Sequence, residues 1–429
     1  MKWSAAQLWL LFSVCCSRIS NAFENGTCLP NGVVPEMREN FTNGDGESYP
    51  MGIVVATWAS AQLTSAAMEI LISEVLGYNI RIDPTAAASS IDAIYGALGC
   101  ATWTNITNRG CDNRKIRIHF MSESWMFGRR DLLDDLRNQY KADVPLGGGD
   151  MGYVGDAGLY VQQSVIDAAQ SAEGLALEYY KSYNASWHSP WLYFDALSGI
   201  NITGSFMKCS ESLLNDNSTV FSYWKISGDD DGVIVTNKKY AAKCLDDYLW
   251  KSPTCRSDSA KCILWVTGGD GWDLVAVMQR SAVFNMPIAC GVASGYGNYL
   301  AVNKQHKTLL YWWTPDNSFL DVNPTLLQMA PHSAFQWTQG DQTTATVGTE
   351  LAKMVSSDLR FLSPEVAKFV ESVQFELSEV NDLMRAFQAD GATRLGTACD
   401  WLKANEARWK GWIPDPTLCL RGFGLYDEV

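Results

Sequence analysis

The sequence predicts an α/β protein, because short apolar runs alternate with amphipathic segments. The segment MGIVVATWAS (51–60) has the composition of a short buried strand. The segment AQLTSAAMEILISEVLG (61–77) then places apolar residues at helical spacing and ends at a glycine. The same order recurs in KIRIHFMSESW and DLLDDLRNQYKAD. Such alternation predicts a mostly parallel sheet flanked by helices, whose ligands bind beyond the carboxyl ends of the strands.

Length and charge narrow the class further. The chain has 429 residues, more than one hydrophobic core usually contains, so we expect two lobes. A net charge of −14 argues against a nucleic-acid surface and favours cationic partners. Only 4 histidines are present, and neither G-x-S-x-G nor H-E-x-x-H occurs, so we expect no enzyme.

The first 22 residues have the features of a secretory signal peptide. A lysine precedes the apolar run from Leu8 to Cys16, and small residues at Ser20 and Ala22 suit cleavage after Ala22. The run is too short to span a membrane, and we see no second candidate span. A eukaryotic secretory route to the extracellular space or cell surface is indicated by six N-x-S/T sequons, at Asn25, Asn40, Asn105, Asn184, Asn201 and Asn217.

Ten of the 12 cysteines lie outside the predicted signal peptide, and in an oxidising compartment we expect all ten to form disulfides. Cys100 with Cys111 and Cys399 with Cys419 are the preferred local pairs. Metal binding is disfavoured, because the spacings lack two close CxxC-type clusters. The acidic DDDG (229–232) lacks the glutamate of a calcium loop, and the glycine run in 137–163 lacks the GK[ST] of a phosphate loop. We therefore expect neither a metal nor a cofactor.

Aromatic residues follow several of the predicted strands. The chain contains 17 tryptophans; Trp58 and Trp125 come just after strands, and YWWTPDNSFL begins at Tyr311. Rings at these positions can face a ligand that binds beyond the carboxyl ends of the strands. Burial in the core is the alternative explanation for each ring. Side chains alternate along a strand, so Trp312 and Trp313 should face opposite ways.

Four segments in order resemble the substrate-binding proteins of glycine betaine, proline betaine and choline ABC transporters. These segments are IVVATWASAQLTSAAMEILISEVLGYNIRI, MSESW, YWWTP, and the closing helices from LSPEVAKFVESVQF to ACDWLKANEARWKGWI. The resemblance runs from about residue 50 to 413. It implies a two-lobed type II periplasmic-binding-protein fold, each lobe a mostly parallel sheet flanked by helices. It also implies an extracellular protein that captures a small quaternary ammonium solute between its lobes and delivers it to a membrane permease.

The resemblance further implies the site residues. Trp58, Trp125 and Trp313 are the expected walls of an aromatic cage, and backbone amides near Trp58 and Ala59 are where this family holds a ligand carboxylate. Tyr153 is either a further ring or a packing residue. A secreted sensor, scavenger or surface protein that kept the fold without a transport partner is the alternative function.

The sequence departs from the family pattern at two places. Asp316 stands where the family has a histidine after W-x-P, and SGDDDG stands near residues 226–232 where the family has G-W-x-P-G. An ionised aspartate cannot donate a hydrogen bond to a ligand carboxylate. These departures predict that the site prefers a cation with a hydroxyl or amine, such as choline, to a betaine with its carboxylate. Asp316 as the cap of the following turn is the alternative.

The predicted organisation is a signal peptide (1–22), an irregular leader (23–48) and the first part of lobe 1 (49–150). Lobe 2 follows (151–340), with loop insertions at about 184–232. The C-terminal helices (341–429) return to lobe 1.

Overall fold

The computed structural model describes residues 26–85, 90–105, 108–125, 130–140, 147–179, 189–268 and 272–415. The predicted signal peptide therefore lies outside the described residues. Within these ranges the α/β class is confirmed: a large mixed sheet is flanked by helices.

The strands are numbered in chain order, and all but four of them belong to one sheet. They are β1 (Phe41–Thr42), β2 (Ser48–Tyr49), β3 (Met51–Ile53), β4 (Ile80–Ile82), β5 (Phe120–Ser124), β6 (Asp150–Gln162), β7 (Val233–Thr236), β8 (Lys239–Ala242), β9 (Cys244–Leu245), β10 (Leu249–Lys251), β11 (Ile263–Thr267), β12 (Ile288–Val292), β13 (Leu309–Thr314), β14 (Pro324–Leu326) and β15 (Thr349–Val355).

The described helices are likewise numbered in chain order. They are α1 (Ala59–Glu74), α2 (Ser90–Ala97), α3 (Arg130–Tyr140), α4 (Gln163–Glu173), α5 (Ile202–Ser205), α6 (Asn217–Ser227), α7 (Pro253–Ser257), α8 (Leu274–Val283), α9 (Tyr296–Gln305), α10 (Ala334–Thr338), α11 (Leu359–Leu362), α12 (Pro364–Ser372), α13 (Leu377–Phe387), α14 (Arg394–Ala404) and α15 (Glu406–Lys410). None of them is long and apolar enough to cross a membrane.

The large sheet has the strand order β4-β3-β5-β15-β6-β13-β11-β12-β10-β9, with β14 also paired to β6. We call β4, β3, β5 and β15 the first half-sheet, and β13, β11, β12, β10 and β9 the second. Pairing is parallel within β4-β3-β5 and within β13-β11-β12. It is antiparallel wherever β15, β6 or β10 takes part. The sheet is therefore mixed, with a parallel set of strands in each half.

The long strand β6 belongs to both half-sheets. Its beginning, Asp150–Gly155, pairs with β15, and its end, Asp156–Val161, pairs with β13. Because β15 is antiparallel to both β5 and β6, the parallel strands of the first half-sheet run in the direction of β6. Those of the second half-sheet run the opposite way, since β13 is antiparallel to β6. The carboxyl ends of both parallel sets therefore face each other near the middle of β6.

Helix α1 anchors the C-terminal helices to the first half-sheet. Fourteen of its 16 residues are buried, so it is enclosed on almost every side. Helices α13 and α14 pack against α1, and β15 precedes them in the chain. One apolar core joins these elements, including Met68 and Ile72 of α1, Leu383 of α13 and Leu402 of α14. The boundaries of the two predicted lobes remain predictions.

The disulfides agree only in part with those predicted from spacing. Cys100–Cys111 is present, together with Cys209–Cys244 and Cys255–Cys262. The predicted partner of Cys399 was wrong, because Cys399 bonds to Cys28 in the leader, with their Cα atoms 5.6 Å apart. Helix α14 packs against α1, and that contact carries Cys399 to the leader. Cys419 lies outside the described residues, and buried Cys290 forms no disulfide within them.

His119 is a fully buried histidine beside the first half-sheet. Its Nδ1 atom accepts a hydrogen bond of 3.0 Å from the Gly52 backbone N–H, which fixes the neutral tautomer. The ring packs against Phe41 and Tyr49. Burial lowers the pKa of His119 to about 4. Between this value and the ordinary pKa of 6.5, only the unfolded chain binds the proton.

We therefore expect acidification from about pH 6.5 to pH 4 to remove about 3 kcal/mol of folding free energy through His119 alone. Carboxyl groups also titrate in this pH range. The difference in pH dependence between wild type and His119→Gln therefore isolates the contribution of the histidine. Urea unfolding at pH 7, 6 and 5 should show a shallower pH dependence for the variant. His332→Gln, which replaces a histidine outside this core, is the control. Parallel pH profiles for wild type and His119→Gln would contradict the assignment.

Candidate functional site: an aromatic cavity

Five aromatic side chains surround a single cavity where the two half-sheets meet. The aromatic cavity has a volume of about 60 Å³, enough for roughly four to six water-sized groups and thus on the scale of a trimethylammonium head. Its described lining is Trp58, Ser90, Ile91, Trp125, Trp272, Tyr311 and Trp313. Trp58, Trp125 and Trp313, the three tryptophans expected from the sequence, are brought together here.

Trp58 is held at the start of α1. It occupies the N-cap position, where the backbone is still extended, and is only 4% exposed. Its indole Nε1 donates a hydrogen bond of 2.6 Å to Glu123 Oε1. The ring meets that of Trp313 edge-to-face, with centroids 6.4 Å apart. Trp58 thus bridges the first half-sheet and the second.

Trp125 follows β5 directly. Its backbone N–H donates to Ser90 Oγ over 2.6 Å, and its Nε1 donates to the same Glu123 oxygen over 2.7 Å. Gly155, in the middle of β6, leaves the room that the ring needs, because a Cβ there would overlap the indole. The shared strand therefore determines where this wall of the cavity stands.

Tyr311 and Trp313 lie two residues apart on β13 and both face the cavity. Their rings are 5.7 Å apart. Trp312 faces the other side, as strand alternation predicts, and packs edge-to-face on Tyr160 at 5.3 Å. Tyr299 stacks behind Trp313, with centroids 6.4 Å apart. One face of the strand thus supplies two walls of the cavity.

Trp272 is a wall that the sequence reasoning missed. Its ring lies 5.3 Å from that of Trp313 and 5.7 Å from that of Tyr311. Gly268 makes room for it, since a Cβ there would lie 2.6 Å from the indole. The family pattern predicts a second-lobe tryptophan near residues 226–232. Trp272 instead follows β11 in the chain. The rule that identified Trp58 and Trp125, a tryptophan just beyond a strand end, also fits Trp272.

Tyr153 and Ala59, two further expected site residues, are not part of the described lining. Tyr153 is buried, and its hydroxyl donates to Glu123 Oε2, so it stands behind the walls. Burial raises the pKa of Tyr153 well above its usual value, which keeps this hydroxyl a donor. Ala59 is the first residue of α1 and is buried. The packing interpretation of Tyr153 thus fits its geometry better than the ring interpretation.

Asp316 does not line the aromatic cavity either. It is 5% exposed, and its Oδ1 accepts hydrogen bonds from Trp312 Nε1 over 3.0 Å and from the Ser318 backbone N–H over 2.7 Å. The second bond is the turn-capping contact that was the alternative interpretation of this residue. Burial raises the pKa of Asp316, while the hydrogen bonds from Trp312 and Ser318 and the Ala59 backbone N–H oppose that rise. Asp316 lines a neighbouring cavity of about 350 Å³ with Asn317 and Met384.

The chemistry of the aromatic cavity suits a cation. Among its described lining residues, Tyr311 is the only ionisable side chain, so no fixed positive charge there opposes a bound cation. Indole and phenol rings carry negative electrostatic potential on their faces, to which a cation is attracted. Elsewhere in the described ranges, no group of three or more His, Cys, Asp or Glu side chains is arranged to hold a metal ion.

The comparisons with known proteins agree with the resemblance found in the sequence. Residues 298–404 match the family model of the substrate binding domain of the ABC-type glycine betaine transport system. This segment includes Trp313, Asp316 and helices α13 and α14. The matched domain is a binding domain and not an enzyme. A search of curated proteins finds no match.

Several solved structures are similar to the chain. The glycine betaine, L-proline-binding protein ProX from Borrelia burgdorferi has 11% identity and a TM-score of 0.47, over 86% of this chain and 98% of that chain. Lactococcal OpuAC complexed with glycine betaine has 12% identity and a TM-score of 0.45, over 85% and 99%. An ABC-transporter choline binding protein in complex with choline has 13% identity and a TM-score of 0.44, over 84% and 90%.

Proposed function

We propose that this protein captures a small quaternary ammonium compound in the aromatic cavity, as a solute-binding protein of an ABC-type transport system. The observation that carries the proposal is the closure of five aromatic side chains around a space of about 60 Å³. The family match over residues 298–404 supports it independently. Each half-sheet supplies walls, so a bound cation would contact both and stabilise their approach.

The energies are of the right size. One cation–π contact contributes about 0.5 to 2 kcal/mol, with tryptophan at the upper end. Four such contacts therefore supply several kcal/mol, and burial of the methyl groups adds to them. Micromolar binding requires roughly 8 kcal/mol, which four such contacts reach only at the upper end of their range, so burial of the methyl groups must supply part of it.

Choline is the ligand that the surroundings favour over glycine betaine. A betaine carboxylate is held most strongly by a positive charge, and the described lining offers no lysine, arginine or histidine. The Asp316 carboxyl group lies near the start of α1, where the resemblance places a ligand carboxylate, since the Ala59 backbone N–H contributes to lowering its pKa. A second carboxylate placed there would meet a like charge.

Titration calorimetry of the purified protein with choline and glycine betaine tests the function. We expect Trp272→Phe to weaken choline binding by about 1 kcal/mol, or roughly fivefold, because phenylalanine is a poorer partner for a cation than tryptophan. Trp401→Phe is the matched control, since Trp401 packs against Phe375 and Trp412 in the C-terminal region. Failure of wild type to bind any quaternary ammonium compound at millimolar concentration would sink the proposal. Equal losses of choline affinity in Trp272→Phe and Trp401→Phe would mean that Trp272 does not contact the ligand.

Asp316→Asn tests the ligand preference. Removing the negative charge while keeping the shape should raise the ratio of glycine betaine to choline affinity by about tenfold, because repulsion of the betaine carboxylate disappears. Asp321→Asn removes an exposed acid that pairs with Lys304 and serves as the control. A ratio unchanged by Asp316→Asn would leave Asp316 as a turn cap alone.

We further propose a secreted or cell-surface location. Four sequon asparagines fall within the described residues, and all four are exposed, which leaves them open to glycosylation: Asn40, Asn105, Asn201 and Asn217. A glycosylated form also supports the alternative of a sensor, scavenger or surface protein without a permease. Affinity purification from solubilised native membranes should recover a membrane partner if the protein serves transport. Recovery of the soluble chain alone would favour the alternative.

A further inference from the structure

Glu123 lies directly behind two walls of the aromatic cavity. It is the fourth residue of β5 and has no exposed surface. Its Oε1 accepts hydrogen bonds from Trp58 Nε1 over 2.6 Å, from Trp125 Nε1 over 2.7 Å and from Ser60 Oγ over 3.2 Å. Its Oε2 accepts one from the Tyr153 hydroxyl. One carboxyl group therefore takes four donors.

No cation accompanies this acid within the described part of the chain. Its four partners are neutral donors, and none of the described ion pairs includes it. Two other acids of the interior have a counter-ion: Asp92 pairs with Arg109, and Glu69 pairs with Arg394. Buried Glu74 and Asp316, like Glu123, take part in no described ion pair, but neither lines the aromatic cavity. A carboxyl group buried without a counter-ion is costly to a fold, and its presence behind a cation-sized cavity needs an explanation.

The hydrogen bonds to Glu123 account for the orientation of the Trp58 and Trp125 rings. Both indoles donate to the same oxygen, so the planes of Trp58 and Trp125 are fixed relative to each other around one acceptor. Ring orientation matters, because a cation is attracted to the face of an indole and not to its edge. An aliphatic side chain at position 123 would leave both N–H groups buried without partners.

The negative charge of Glu123 explains why an acid lies behind a cavity of this kind. An ionised carboxylate that accepts two indole N–H bonds pushes electron density toward the rings, and it attracts a cation directly where little water screens it. We propose that Glu123 is the positioning residue of the aromatic cavity and the counter-charge of the bound cation. This inference rests on the proposed function, and it adds a preference for a positive charge over a neutral group of the same shape.

The test compares choline with 3,3-dimethyl-1-butanol, in which carbon replaces the nitrogen and the charge is lost. Glu123→Gln retains an acceptor oxygen for the indoles and removes the negative charge. We expect the variant to bind choline about tenfold more weakly than wild type, while dimethylbutanol binding changes by less than about twofold. The ratio of the two affinities is the readout, because a purely structural effect weakens both ligands alike.

Glu74→Gln is the matched control. Glu74 is also a buried glutamate of this region, and its carboxylate accepts the backbone N–H groups of Cys28 and Leu29 away from the cavity. Its replacement should leave the ratio unchanged. Equal weakening of both ligands by Glu123→Gln would reduce Glu123 to a structural support and overturn the inference. A wild-type protein that binds neither compound would overturn the proposed function and the inference with it.

A second measurement applies if Glu123→Gln does not fold. The infrared spectrum of wild type saturated with choline should contain no carbonyl band of a protonated buried glutamate, since a counter-charge must be ionised in the complex. Such a band in the choline complex would contradict the inference.

Discussion

The aromatic cavity depends on one strand, β6, which joins two half-sheets whose parallel strands run in opposite directions. Strand β6 pairs with β15 along its first half and with β13 along its second. Since the two parallel sets run in opposite directions, their carboxyl ends meet at its middle. Residues that follow strands in either half are thereby carried to the same place. Gly155 stands at this midpoint and leaves the space into which Trp125 fits.

The aromatic cavity combines walls of indole and phenol rings with a carboxyl group buried behind them, that of Glu123. Burial raises the pKa of Glu123, and the hydrogen bonds from Tyr153, Trp125 and Trp58 oppose that rise. With Glu123 as the proposed counter-charge, the site would attract a cation without presenting an exposed acid to metal ions or basic peptides.

Much of this arrangement could be predicted from sequence, and the exceptions have physical reasons. Periodicity identified β5 and α1, and the strand-end rule pointed to Trp58 and Trp125, because both depend on local order along the chain. Trp272 follows the same rule, but the family pattern directed attention to an earlier segment. The surroundings of Glu123 depend on contacts with Trp58, 65 residues away, and with Tyr153, 30 residues away. Those of Asp316 depend on the side of β13 to which Trp312 points. Such contacts leave no periodic signal in the sequence.

The disulfide between Cys28 and Cys399 has a mechanical consequence. It joins positions 371 residues apart, so nearly all of the folded chain lies within a covalent loop. A pulling force applied to residues on either side of the pair passes through the sulfur–sulfur bond and bypasses the chain between them. The strands of the sheet and the aromatic rings carry none of that load. Tension applied between a point before Cys28 and a point after Cys399 would therefore leave the cavity undistorted.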